Sequence, residues 1–372
     1  MNGARRVSAQ VNVAAIRRNC ETLLRRTEGR SELCAVVKAD AYGHGAAAAA
    51  RAALAGGASR LAVVDGIEAQ QLREAGFECP ILVMGALNND GLRRSLDARA
   101  DVVVWSSAGL QAVVAAGGGR VHVKLDSGMG RLGTRDPDAA RPVALEALES
   151  PQIELVGLMT HFATADDRDD GGFMDSQLER FLEWARPLKA EHPELVLHAA
   201  NSGAALREAR THLDMIRCGI AVYGIDPFGF DGRAEGLEPA LSLGSYVAEV
   251  KPCRRGESVG YGRRFVAERD TNIAIVPVGY GDGWRRALGN VGTIAIDGNA
   301  FAMVGTVSMD SFAVDVGERG RELIGAPAEL IGGHGPTAEE LAKWLDTIGY
   351  EITCALTPRV ARVHHDDGEP VA

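Results

Sequence analysis

The sequence predicts an α/β plus β protein, with an amino-terminal (β/α)8 barrel followed by a mostly-β carboxy-terminal domain. Three observations carry that prediction. Over about the first 220 residues, short apolar runs alternate with helix-forming stretches, the pattern of parallel βαβ units. Asp226–Glu238 is then rich in Gly, Pro and acid and reads as a linker. Beyond it the apolar runs are short, β-branched and separated by turns. With 372 residues the chain is long enough for two domains, expected at 1–230 and 231–372.

In chain order, Val13–Arg26 reads as an amphipathic helix with Asn12 as its N-cap. Eight apolar runs follow: Leu33–Val37, Arg60–Val64, Ile81–Val83, Asp101–Val104, Val121–Leu125, Glu154–Met159, Val196–Ala199 and Met215–Cys218. Helices such as Ser106–Ala116, Asp136–Glu149 and Asp175–Glu191 separate them. Eight strands in so short a span suit a closed barrel better than an open sheet. In the second half the candidate strands are Ser245–Val250, Ile273–Val278, Thr293–Ile296, Ala302–Val304 and Phe312–Val316. Asp297-Gly298-Asn299 is a hairpin signal between two of them. One helix is expected over Thr337–Ile348, opened by a capping box from Thr337 to Glu340. His364–Asp367 reads as a solvated tail rather than as metal ligands, because chain ends are usually mobile, and no metal is expected.

Bulk composition narrows the function. A hydrophobic content of 46% and a charged content of 24% are ordinary for a globular protein. The net charge of -10 argues against a nucleic-acid binder, which would show a basic face. No apolar run approaches the ~20 residues of a membrane span. Met1–Arg18 has arginines but no apolar core, so no signal peptide is expected. Six scattered cysteines without a CxxC pair point to a reduced, cytoplasmic chain.

The functional reading is organised around Ala35-Val36-Val37-Lys38-Ala39-Asp40-Ala41-Tyr42-Gly43-His44-Gly45. A buried strand ends at Lys38, Gly43 and Gly45 free a turn, and Gly45–Ala55 is helix-forming. In a parallel α/β barrel the carboxyl ends of the strands face the ligand. An amine held there, partly stripped of water, has a lowered pKa and can form a Schiff base. A lone strand-end lysine is usually just solvated. The whole string, however, resembles the pyridoxal-phosphate attachment motif of the alanine racemases, and the family's other motifs follow in order along nearly the whole chain.

Gly128-Met129-Gly130-Arg131-Leu132-Gly133 matches the dinucleotide GxGxxG by spelling only. It follows the fifth strand rather than the first, an arginine sits inside the turn, and Pro137 comes soon after. From Lys124 onward it resembles the racemase segment whose arginine, here Arg131, reaches the cofactor's phenolic oxygen and the substrate carboxylate. Lys124 stands where the family often carries a carbamylated lysine. After the sixth strand, His161 matches a ring that packs on the pyridine and bonds the catalytic tyrosine. Asn201 and Ser202 offer a hydroxyl and helix-start amides, a physical phosphate site, and Gly219 and Ile220 add two more amides. Phosphate sites at the seventh and eighth βα loops are a barrel habit. With Tyr42 they form the expected cofactor anchor.

Arg217 bears on reaction type. An arginine does not give up its proton, so the pyridine nitrogen facing it stays unprotonated. That limits side reactions, and the related barrel decarboxylases have a carboxylate at this position. Ser258-Val259-Gly260-Tyr261-Gly262-Arg263-Arg264-Phe265 resembles the segment with the tyrosine base, here Tyr261. A free phenol has a pKa of about 10 and is only ~0.1% ionised at pH 7, so it needs cationic or hydrogen-bonding neighbours. The resemblance supplies them from His161 and Arg217, and places the tyrosine in the partner subunit's site. Gly305-Thr306-Val307-Ser308-Met309-Asp310 resembles the substrate-carboxylate segment, with Met309 and Asp310 as its contacts. Val278–Trp284 resembles the entry channel, with Tyr280 at its constriction.

Two positions depart from the family. Thr306 stands where the channel usually has an arginine, which implies a wider or less basic entrance. The closing string Pro358-Arg359-Val360-Ala361-Arg362-Val363-His364 ends in histidine where a tyrosine usually bonds the phosphate, and His364 is expected to donate there instead. The resemblance therefore implies racemisation of L-alanine to D-alanine with pyridoxal 5'-phosphate. It also implies Lys38 on the D side and Tyr261 on the L side, in a homodimer that shares its sites. The alternatives are a racemase of another or broader amino-acid range, a barrel decarboxylase, which Arg217 opposes, and a non-catalytic cofactor carrier, which would lack the β domain.

Overall fold

The computed structural model describes residues 5–371, which divide into two compact units. One comprises Ile16–Ala41 and Ala46–Val222. The other comprises Tyr42–Gly45, Tyr223 onward, and the segment that ends at Ala15.

The first strand, β1 (Ser8–Asn12), and the helix Val13–Arg26 lead into the barrel, whose strands are β2 (Glu32–Val36), β3 (Arg60–Val63), β4 (Ile81–Val83), β5 (Asp101–Val104), β6 (Gly119–Lys124), β7 (Ile153–Met159), β8 (Val196–His198) and β9 (Met215–Cys218). All neighbours pair in parallel, in the order β8-β7-β6-β5-β4-β3-β2-β9. Two backbone bonds bring the ends of that list together. Asp214 N–H donates to the Leu197 carbonyl, and Arg217 N–H donates to the Ala200 carbonyl, both at 3.0 Å. The expected strands all appear, displaced by a residue or two at their ends. They were legible because helices cover one face and side chains fill the other, leaving nearly continuous apolar runs. Asp65, Asn88, Ser106, Asp136 and Asn201 each cap the following helix by accepting a backbone N–H. The helix Phe173–Glu191 buries Met174, Gln177, Leu178, Phe181, Trp184, Ala185 and Leu188, the spacing of one helical face.

The segment after β2 is not an ordinary glycine turn. Ala39, Asp40, Ala41 and Tyr42 have φ between 52° and 55°, and Gly43 and Gly45 continue at 86° and 93°. This is a left-handed helical turn, which costs an L-residue roughly 1–2 kcal/mol per position. Its first part is held by Ala41 N–H on the Val37 carbonyl at 2.9 Å and Ala39 N–H on Glu68 Oε1 at 2.6 Å. Asp40 Oδ1 accepts from Ala46 N–H at 2.7 Å and starts the next helix.

The second unit is built on a ten-stranded sheet, with a separate hairpin of β12 (Ser258–Val259) and β13 (Phe265–Val266). The sheet's remaining strands are β10 (Leu241–Tyr246), β11 (Glu249–Cys253), β14 (Thr271–Val276), β15 (Thr293–Ile296), β16 (Asn299–Val304), β17 (Phe312–Gly317), β18 (Pro327–Ile331), β19 (Ala361–Asp366) and β20 (Glu369–Pro370). The order is β11-β14-β17-β16-β15-β18-β10-β1-β19-β20. Cys253, Ala267, Ile273, Val304 and Ala313 form one of its apolar clusters. The expected hairpin is present: Ile296 pairs with Asn299 across Asp297 and Gly298, both at positive φ.

Several expectations are corrected in this unit. The run Ser245–Val250 belongs to two strands, broken between Tyr246 and Glu249. The helix expected over Thr337–Ile348 ends at Trp344, Asp346 turns left-handed, and a second helix covers Gly349–Cys354, although the Thr337–Glu340 capping box forms as expected. Asp226–Glu238 is ordered rather than a loose linker: buried Asp226 accepts from Phe228 and Phe230 N–H and donates its own N–H to Glu339. His364–Asp367 is not a tail, because β19 pairs in parallel with β1 and places His364 opposite Val11. Among the described residues, no helix is long and apolar enough to cross a membrane.

Candidate active site

The carboxyl ends of the barrel strands gather most of the chemistry-bearing residues of the first unit. Lys38 lies two residues beyond β2, Lys124 ends β6, His161 lies two residues beyond β7, Asn201 and Ser202 follow β8, and Arg217 lies on β9. Glu68 steadies the Lys38 turn: its two carboxylate oxygens accept from Ala39 N–H at 2.6 Å and Val64 N–H at 2.8 Å, tying β2 to β3.

Arg217 is fully enclosed. Its guanidinium donates to the Thr160 carbonyl at 2.8 Å, the Ala199 carbonyl at 3.1 Å, His198 Nδ1 at 2.9 Å and His161 Nδ1 at 3.3 Å. Burial brings it down to about 10, so it remains cationic at neutral pH. His161 sits well below the ordinary histidine range, first because it is buried and then because Arg217, Lys124, Arg131 and Lys38 surround it with positive charge. Its Nδ1 accepts from Arg217, so the proton of the neutral ring is on Nε2. Lys124 is 4% exposed, and burial reinforced by Arg217 and Arg131 pushes it down to about 8.

The glycine loop that spells GxGxxG holds a carboxylate of its own chain. Asp126 accepts from Gly128 N–H at 3.1 Å, from Gly130 N–H at 3.0 Å and from Arg135 Nε at 3.2 Å. Despite the upward pull of burial, those amides and Arg135 keep Asp126 below the usual carboxylate range. Arg131 is exposed on this loop.

After β8 and β9 the expected Gly219 amide is taken up by Ser202 rather than left for an anion. The Ser202 hydroxyl oxygen accepts from Gly219 N–H at 3.0 Å and Ala221 N–H at 3.3 Å. Ile220 lies between those two amides, whereas Asn201 spends its side-chain oxygen on Ala204 N–H at 3.0 Å as the helix cap.

The remaining candidates lie in the second unit. Tyr42 is buried against the rings of Tyr223 and Tyr350, at centroid distances of 5.2 and 5.9 Å. His364 Nε2–H donates to the His44 carbonyl at 2.8 Å. A neutral ring so committed has only an acceptor left at Nδ1, so His364 donates to an anion only as imidazolium. The expectation of a simple donor is corrected accordingly. Tyr261 is 73% exposed and its carbonyl accepts from the Thr306 hydroxyl at 2.9 Å. Tyr280 N–H donates to the Ser308 carbonyl at 3.0 Å and Gly281 N–H to the Met309 carbonyl at 2.9 Å, so these two segments share one surface. Asp310 is paired with Arg359 at 2.6 Å.

Sequence reasoning missed two supports. Gln177 is buried and ties the His161 loop to the rest, with Oε1 accepting from Ala163 N–H at 2.9 Å and Nε2 donating to the His161 carbonyl at 3.3 Å. A glutamine on the apolar face of a helix was the available signal. Glu68 stands in the first turn of a capped helix, where a carboxylate already has a local explanation.

Two family models match most of the chain. Residues 11–227 match the family model "Alanine racemase, N-terminal domain", and residues 240–364 match "Alanine racemase, C-terminal domain". The chain is 38% identical to the alanine racemase of Desulforamulus reducens, over 96% of this chain and 98% of that one. It is 37% identical to alanine racemase 1 of Bacillus subtilis, over 97% and 93%. Among solved structures, the alanine racemase of Streptomyces coelicolor superposes with a TM-score of 0.89 at 37% identity, covering 96% of this chain and 98% of that one. The alanine racemase of Bacillus anthracis with bound L-Ala-P gives 0.89 at 32% identity, covering 100% and 98%.

Proposed function

We propose how this chain, which belongs to the alanine racemase family, carries out the family's racemisation of L-alanine to D-alanine: with Lys38 and Tyr261 as two proton carriers and Arg217 beneath the cofactor ring. The family is pyridoxal-phosphate-dependent. The donor set suits that group: an amine for its aldehyde, the Ser202 hydroxyl at the start of a helix for its phosphate, and an arginine for its ring nitrogen. We assign Lys38, Tyr42, His161, Asn201, Ser202, Arg217, Gly219, Ile220 and His364 to holding it, and Arg131, Met309 and Asp310 to the substrate. We also assign residues 1–230 to cofactor binding and 231–372 to the second base, a division by role that cuts across the compact units, since the second takes in Tyr42–Gly45 and the segment that ends at Ala15.

The cofactor, when bound, supplies the electron sink that makes the Cα proton of alanine removable. Proton transfer to a positioned group contributes about 10²–10⁴-fold, which alone falls short of enzymatic rates. Lys38 Nζ takes or returns the proton on the D side and the Tyr261 hydroxyl does so on the L side. His161 keeps an Nε2–H available to steady a phenolate, because Arg217 has claimed its Nδ1. Burial of Lys124 leaves a large neutral fraction near pH 8, the form that reacts with carbon dioxide, and a carbamate there would orient Arg131. Tyr261 is the most exposed aromatic among the large apolar side chains of the described residues, which favours a homodimer in which each subunit's Tyr261 serves the other's Lys38. Six free cysteines favour a reducing compartment, and we place the protein in the cytoplasm.

The turn that presents Lys38 is the observation that carries this reading. Borohydride reduction of the cofactor-loaded protein followed by peptide mapping is the test. The label is expected on Lys38, and a label on another lysine would overturn the assignment.

A further inference from the structure

We propose that Asp101, at the opposite end of the barrel from the candidate site, is a positioning residue for Arg217: it sets the tautomers of two buried histidines and holds the guanidinium through them. Asp101 is the first residue of β5, and its side chain is 3% exposed. His122 Nε2 lies 3.3 Å from Asp101 Oδ2, His122 Nδ1 lies 2.8 Å from His198 Nε2, and His198 Nδ1 lies 2.9 Å from Arg217 Nη1. Both rings are fully buried and meet edge to face at a centroid distance of 4.8 Å.

The direction of this chain follows from its two ends. Arginine only donates, so His198 Nδ1 must accept and its proton sits on Nε2. That proton goes to His122 Nδ1, which forces the His122 proton onto Nε2, pointing at Asp101. A carboxylate only accepts, so the far end agrees. With both rings neutral, one arrangement satisfies all three bonds. Neutrality is what burial imposes, since it lowers both histidines from their ordinary range. Other groups hold the carboxylate itself in place: Arg120 Nε donates to Asp101 Oδ1 at 2.7 Å, and Arg60 Nη1 lies 3.7 Å from Oδ2. Gly157 on β7 makes room for the pair, because a Cβ there would stand 2.9 Å from His122 Nδ1 and 2.4 Å from the Val196 carbonyl.

The remaining bonds of Arg217 run to the Thr160 and Ala199 carbonyls and to His161, all at the active-site end. The His198 bond links the guanidinium, through His122, to the buried negative charge of Asp101. Its role in catalysis rests on the reading that Arg217 faces the cofactor ring, whereas the hydrogen-bond chain itself does not.

Long-range ¹H–¹⁵N correlation on the histidine-labelled full-length protein, without and with pyridoxal phosphate, tests both parts. His122 and His198 are expected as neutral Nε2–H tautomers from pH 6 to 9. An Nδ1–H or doubly protonated His198 in the wild type would overturn the proposal, and this arm needs no variant. In Asp101→Asn the amide offers one acceptor where the carboxylate offers two, so it fails either Arg120 or His122. The His198 signal should then shift or split, and kcat for alanine should fall roughly tenfold with KM within about twofold, the scale seen for outer partners of a functional side chain. An unmoved His198 signal in Asp101→Asn would also overturn the proposal. A moved signal with unchanged kcat would uphold the hold on Arg217 and remove Arg217 from the proposed reaction.

Discussion

At the strand ends of the barrel, Arg217 is enclosed by carbonyls and bonded to half-buried His161, and Lys124 is buried beside it. In the second unit Tyr261, Met309 and Tyr280 stand 73%, 52% and 44% exposed. One half of the candidate chemistry is thus ordered and desolvated by its own neighbours. The other half lies on a surface that water still reaches, where charge is cheap and acid–base strengths are hard to tune. The two-base reading proposed above would require the exposed half to be covered before reaction.

The sharpest way to break that comparison is to remove one proton carrier from each half. Lys38→Ala should lose racemisation by at least roughly 10⁴-fold, and Tyr261→Phe by about 10²–10⁴-fold. The exchange of the alanine α-hydrogen with deuterated solvent separates them: Tyr261→Phe should still exchange the D-alanine hydrogen while losing inversion. Mixing the two inactive variants should restore activity if the sites are shared between subunits, and full racemisation by Tyr261→Phe would end the two-base assignment.

A smaller effect probes the buried half alone. Lys124 is lowered from 10.5 to about 8, so the unfolded chain binds its proton more tightly than the folded one between those values. The destabilisation is therefore full below pH ~8 and relieved as pH rises toward ~10.5. By linkage it amounts to about 3 kcal/mol at neutral pH. Lys124→Met should melt at a higher temperature than wild type in cofactor-free, bicarbonate-free buffer at pH 7, and thermal scans should show the gap closing by pH 10.

Gly157→Ala pushes a methyl against the Val196 carbonyl and His122, and should cost about 1–3 kcal/mol by thermal or denaturant unfolding. The least effect belongs to the second unit: Thr337→Ala removes one cap and should cost about 1 kcal/mol in the same measurement, with racemisation unchanged.

The same contrast explains how far the fold could be read from residue order. Barrel strands such as Leu33–Val37 are apolar on both faces and announce themselves. Ser8–Asn12 has only Ala9 and Val11 to mark its buried side, and its partners β10 and β19 lie more than 200 residues away, so nothing local betrays it. Lys38, Arg217 and Ser202 were legible as candidates because each sits at or just beyond a strand end beside a turn signal. Asp101 and His122 were not, because a polar residue inside a short strand resembles ordinary alternation until its partners across the barrel are known. The left-handed stretch was equally hidden, since alanine and tyrosine carry no signal for positive φ and a lone aspartate carries only a weak one.

That stretch has a stereochemical consequence. Ala39 and Ala41 adopt the backbone conformation that is relaxed for the D enantiomer and strained for the L. A semisynthetic chain with D-alanine at either position should gain roughly 1–2 kcal/mol there. The loop that presents Lys38 is thus shaped, in two of its own residues, for the mirror image of the amino acids from which ribosomes build it.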